Sequence, residues 1–125
     1  MPGVLVVDDD ESHRTLMCDL LEEMGYQATQ ASDGREALRL LGGYLPAAVL
    51  LDLRMPVMSG WEVLEALRQM PGARQVPVII VSAYGFEWEA SLVGAAGYIS
   101  KPVDLNRVRE TVRQVVGPPV ARWVQ

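Results

Sequence analysis

Polar side chains of three kinds close four otherwise apolar stretches of the 125-residue chain: Asp8, Asp9 and Asp10 follow Val4 to Val7, Asp52 follows Ala47 to Leu51, Ser82 follows Val76 to Val81, and Lys101 follows Tyr98 to Ser100. Three or more carboxylates in one crevice repel one another unless some are protonated or a cation sits among them. A hard dication is the economical answer, and Mg2+, with Mn2+ able to substitute, takes oxygen ligands from one or two carboxylates, water and a phosphate. A lysine facing the metal adds a second positive charge. Together they can neutralise a phosphoryl group in transfer, a reaction governed mostly by positioning and electrostatics. An aspartate can then act as the nucleophile that becomes an acyl phosphate.

These residues lie far apart in sequence, so the fold has to gather them. Val4 to Val7, Ala47 to Leu51 and Val76 to Val81 are short apolar runs bounded by polar residues, which predicts strands buried on both faces of a parallel sheet. Tyr26 to Ala31 alternates weakly and predicts an edge strand, and Tyr98 to Ser100 a short fifth one. Leu16, Met17, Leu20, Leu21 and Met24 recur at helical steps over Glu11 to Met24, and Gly25 can end that helix. Asp33 three residues before Glu36 predicts a capped second helix carrying Ala37, Leu38 and Leu41, stopped by Gly42-Gly43. A third helix is expected over Trp61 to Met70, after a turn from Met55 to Gly60, and a last one over Asp104 to Val116. Strands alternating with helices call for a doubly wound α/β fold, in which chemistry belongs at the carboxyl ends of the strands. That edge is where the aspartates, Ser82 and Lys101 converge.

Composition narrows the functions. Half the residues are apolar and the formal charge is −5, so a globular domain is expected and direct nucleic-acid binding by this segment is disfavoured. The lone cysteine, Cys18, excludes an internal disulfide and reads as packing. No signal-like segment or membrane-length apolar run is present in this sequence, and a cytoplasmic location is the expectation. His13, the one histidine, is expected to be a solvated side chain at the start of the first helix. Asp10 is expected to cap that helix.

Val-Val-Asp-Asp-Asp-Glu after the first strand, Leu-Asp52-Leu-Arg-Met-Pro-Val-Met-Ser-Gly after the third, Val-Ser82-Ala after the fourth and Gly-Tyr-Ile-Ser-Lys101-Pro102 at the fifth resemble the receiver domain of two-component response regulators. The resemblance covers residues 4 to 116. It implies a flavodoxin-like five-stranded parallel sheet of order 2-1-3-4-5 with five helices, residues 1–117 forming the receiver and 118–125 a tail or the start of a linker. It implies a phosphorylation-controlled switch rather than an enzyme, in which a histidine kinase or histidine phosphotransfer protein donates a phosphoryl group to Asp52. By the same resemblance Asp9, Asp52 and the Arg54 backbone carbonyl would hold Mg2+, with Asp8 acting largely through water. Lys101 would pair with the phosphate, Ser82 would move to bond it, Tyr98 would change orientation with Ser82, and Pro102 would follow Lys101 in a cis turn. The surface of the fourth helix, fifth strand and fifth helix would address a partner or effector domain, or pair with a second copy as a homodimer.

Two features set this chain apart from that pattern. Arg54 and Tyr84 stand where side chains can reach over an acyl phosphate, so slow loss of the phosphoryl group is expected. The stretch from Ser82 to Gly94 looks about three residues short, close to one helical turn, so a short or irregular fourth helix is expected. Tyr84, Phe86 and Trp88 make an aromatic cluster beside it, either core or partner surface. Rival readings fare less well. A dehalogenase-type phosphohydrolase needs a second acid where Arg54 stands, and Asp8 to Asp10 would repel a flavin phosphate. A phosphorylation-independent interaction module is the closest alternative.

Overall fold

The computed structural model describes residues 3–55, 57–83 and 87–118. Strands and helices alternate as β1 (Gly3–Val7), α1 (Glu11–Glu23), β2 (Gln27–Ala31), α2 (Gly34–Leu41), β3 (Ala48–Asp52), α3 (Gly60–Arg68), β4 (Val78–Ala83), α4 (Glu87–Leu92), β5 (Gly97–Lys101) and α5 (Leu105–Val116), with a 3-10 turn at Ala73–Gln75. All strand pairings are parallel and the order is β2-β1-β3-β4-β5. The fold class, the strand order and the short fourth helix are those expected from the sequence.

Period-two alternation in the central strands explains the layering. Leu5, Val7, Val49, Leu51, Val78 and Ile80 pack with Ala37, Leu41, Val63, Leu64 and Leu67 of α2 and α3. Val4, Val6, Leu50, Ile79 and Val81 point the other way, onto Met17, Leu20 and Leu21 of α1 and Val108 and Val112 of α5. Each central strand therefore feeds two cores, which is why its sequence reads as an unbroken apolar run.

Local chemistry sets the boundaries. Asp10 caps α1 by accepting the His13 N–H at 3.2 Å, as expected. At the far end Gly25 adopts φ 101°, its N–H donating to the Glu22 carbonyl and that of Tyr26 to the Leu21 carbonyl, both at 3.0 Å. This is a Schellman ending, and it places buried Tyr26 in the turn rather than at the head of β2. Leu16, expected on the inner stripe of α1, is instead 43% exposed, because Met17 and Cys18 occupy the buried position. β4 starts at Val78, since Pro77 has no N–H to donate, and it runs on to include Ser82. Asp33 accepts the Glu36 N–H at 2.8 Å, but the Glu36 carboxylate reaches back to the Ser32 N–H at 2.7 Å. A reciprocal capping box stands at the start of α3, between Ser59 and Glu62.

Candidate functional site

Register carries the polar residues to one edge. Val7 pairs with Leu51, Asp52 with Val81, Ser82 with Ser100 and Ala83 with Lys101. Asp8, one residue past β1, thus lies beside Asp52 at the end of β3, with Ser82 and Lys101 on the two strands beyond. Carboxylate oxygens of Asp8, Asp9 and Asp52 all lie within 4.8 Å of one another. Asp8 and Asp52 are buried at 3% exposure each, whereas Asp9 faces solvent.

Each Asp52 oxygen has a donor. Oδ2 accepts from Lys101 Nζ at 2.9 Å, and Oδ1 accepts the backbone N–H of Arg54 at 3.0 Å. Burial nevertheless holds the Asp52 carboxyl above its ordinary pKa; the Lys101 bond and the Arg54 N–H pull it back down, and the charge of Asp8 pushes it up. A buried carboxylate that resists ionisation beside two more acids is a site waiting for positive charge. The oxygen-only donor set suits a small hard dication such as Mg2+ better than a soft transition metal. Ser82 gives a second sign of incompleteness: its Oγ is fully buried with no hydrogen-bond partner among the described residues. An orphaned hydroxyl next to Asp52 has somewhere to turn only if an acceptor arrives there.

A sequence model of the response regulator receiver domain family matches residues 4–113. The chain is a response regulator receiver domain. Among curated relatives, the polar-differentiation response regulator DivK of Brucella anthropi is 34% identical over 118 residues, covering 92% of this chain and 96% of that one. Among solved structures, the chemotaxis protein CheY4 of Vibrio cholerae matches with a TM-score of 0.86 and 31% identity over 92% of this chain and 98% of that one. The receiver domain of a sensor histidine kinase from Pseudomonas aeruginosa, crystallised with a magnesium ion coordinated in its active-site cleft, matches with a TM-score of 0.84 and 25% identity over 93% of this chain and 98% of that one. Family membership makes this receiver domain a phosphoacceptor module rather than an enzyme turning over a separate substrate.

Of the residues singled out from the sequence, Asp8, Asp9 and Asp52 converge and Lys101 meets Asp52. The Arg54 side chain is exposed beside the cluster, its N–H fixed on Asp52. Tyr98 is half-buried on β5, and its hydroxyl donates to the Ala83 carbonyl, one residue from Ser82. The Lys101-Pro102 peptide is cis. Tyr84 and Phe86 lie outside the described residues, as does the tail beyond Pro118, while Trp88 is 70% exposed and belongs to the surface. His13 is the correction. Far from being solvated, its ring packs against the acidic cluster with Nδ1 2.5 Å from Asp8 Oδ2. The signal available was position: the third residue of a helix that starts directly after an acidic strand end faces back over that end. No described helix is long and apolar enough to cross a membrane.

Proposed function

We propose that this receiver domain accepts a phosphoryl group on Asp52 from a phosphohistidine of a histidine kinase or histidine phosphotransfer protein, in a Mg2+-dependent transfer. What carries the reading is a buried Asp52 held between Lys101 and the Asp8-Asp9 pair, with the unpartnered Ser82 hydroxyl alongside. The oxygens of Asp9 and Asp52, with the Arg54 carbonyl, would hold the metal, and Asp8 would act largely through water. Bound Mg2+ supplies charge neutralisation to the phosphoryl oxygens. An Asp52 oxygen attacks phosphorus, the P–N bond of the donor breaks, and the imidazole leaves with the electron pair and takes up a proton.

The product is a dianion where a monoanion stood. Lys101 then bonds a phosphoryl oxygen rather than the carboxylate, and Ser82 gains the acceptor it lacks. Motion of β4 at Ser82 reaches the Ala83 carbonyl that Tyr98 bonds, which couples phosphorylation to the surface of α4, β5 and α5. That surface would address a partner or effector domain, or a second copy of the chain. Coupling on the order of 1 to 3 kcal/mol is enough for regulation. Residues 1–117 serve as the switch and 118–125 as tail or linker, and the exposed Arg54, with Tyr84, slows loss of the phosphoryl group.

Incubation with Mg2+ and acetyl phosphate or phosphoramidate, followed by intact-mass measurement, tests the assignment. One phosphoryl adduct is expected on the wild type and none on Asp52→Ala. No adduct on the wild type, the outcome for a phosphorylation-independent interaction module, or an adduct that survives the substitution, overturns it. Arg54→Asn should shorten the adduct's lifetime, and an unchanged lifetime removes Arg54 from that role.

A further inference from the structure

Asp8 is held at each of its four polar atoms. Its backbone N–H donates to the Ala31 carbonyl at 3.1 Å, and its carbonyl accepts from Arg14 Nη1 at 2.8 Å. Arg14 is itself anchored through Nε to Gln30 Oε1 at 2.8 Å. The carboxylate is engaged at both oxygens: Oδ1 accepts the Asp10 N–H at 2.9 Å, and Oδ2 meets His13 Nδ1 at 2.5 Å. A carboxylate oxygen accepts, so this bond requires the tautomer with the proton on Nδ1. Val6, Met17, Leu50 and Val81 wall the space behind Asp8, His13 and Asp52, which has room for at most one water. On that side no second water can take the place of the imidazole as a partner of Asp8.

We propose that His13 is a positioning residue of the metal site: it fixes the Asp8 carboxylate in the orientation that keeps it within reach of the Asp9 and Asp52 oxygens. A divalent cation then meets an ordered oxygen, or an ordered water on that oxygen, rather than a carboxylate that must be immobilised on binding. Outer partners of this kind orient ligand groups and set their basicity. The inference rests on the reading that the cluster takes Mg2+ and adds to it a residue on α1.

Calorimetric titration of the full chain with Mg2+ tests it. His13→Leu, which cannot donate, should weaken binding by about tenfold, the scale seen when such a partner is lost. His13→Asn, whose amide nitrogen stands close to the place of Nδ1, should recover most of that loss. The proposal falls if the leucine variant binds Mg2+ as tightly as the wild type, or if the asparagine variant binds as weakly as the leucine one. A measurement on the metal-free wild type needs no variant to fold: the 15N imidazole spectrum should show a proton on Nδ1, and a bare Nδ1 overturns the proposal. A wild type that binds no Mg2+ would instead overturn the functional reading, and this inference with it.

Discussion

At the scale of single residues, Asp52 is where folding and chemistry pull in opposite directions. Burial raises its pKa even against the Lys101 bond, so the folded chain holds that proton more firmly than the unfolded chain does. The group therefore favours the fold below the ordinary carboxylate range and ceases to as pH rises through the raised value; at neutral pH its charge costs stability. Metal-free Asp52→Asn should accordingly melt higher than the wild type at pH 7, by about 4 °C for each kcal/mol relieved, and the gap should close as pH falls through the carboxylate range. A lower melting temperature for the variant at neutral pH would contradict this. Lys101, a third exposed, can be solvated when its partner becomes neutral. The aspartates and Lys101 were legible as single letters because each ends an apolar run. His13 was legible only as a position, the third residue of a helix that starts at the acidic strand end; that its ring reaches the Asp8 carboxylate was not.

The loop between β3 and α3 shows how an element serves a site. Gly60 packs so close to the end of β3 that a Cβ there would stand 2.4 Å from the Asp52 carbonyl oxygen and 2.7 Å from Leu53 Cα. Both are backbone atoms with little freedom to retreat. Gly60→Ala should cost about 2 kcal/mol in urea unfolding and slow phosphorylation by acetyl phosphate, because the displaced backbone carries Asp52. Unchanged phosphorylation would show that the strand end tolerates the shift. Three residues earlier, Val57 sits at φ 70° with its side chain 80% exposed, a β-branched residue in the left-handed region with almost no burial to offset the strain. Val57→Gly should stabilise the fold by roughly 1 kcal/mol, since relief of the strain exceeds the added entropy of a flexible unfolded chain. A denaturation midpoint at or below that of the wild type would refute it. The Met55 to Gly60 turn was expected from its composition; that Gly60 touches the end of β3 is a matter of packing.

For the molecule as a whole, the sheet makes one edge polar by stacking unrelated strand ends, and a cation bound there, as proposed, would recover the cost of crowding carboxylates. Mg2+ at about one hundred times its dissociation constant should stabilise the fold by about 2.7 kcal/mol, raising the melting temperature by on the order of 10 °C. The shift should be lost in Asp52→Ala, and a metal-independent melting curve for the wild type would exclude a Mg2+ site linked to folding. The sequence by itself determined the strand-helix alternation, the two-faced burial of β1, β3 and β4, and the convergence of Asp8, Asp52, Ser82 and Lys101, because hydrophobic period and strand-end polarity are written residue by residue. Leu16 turning outward, Tyr26 packing into the end of α1 and the bond from His13 to Asp8 were decided only by the tertiary structure. Each depends on which of several apolar or polar groups reaches a shared space first, and that competition is settled by distances between segments the sequence lists far apart.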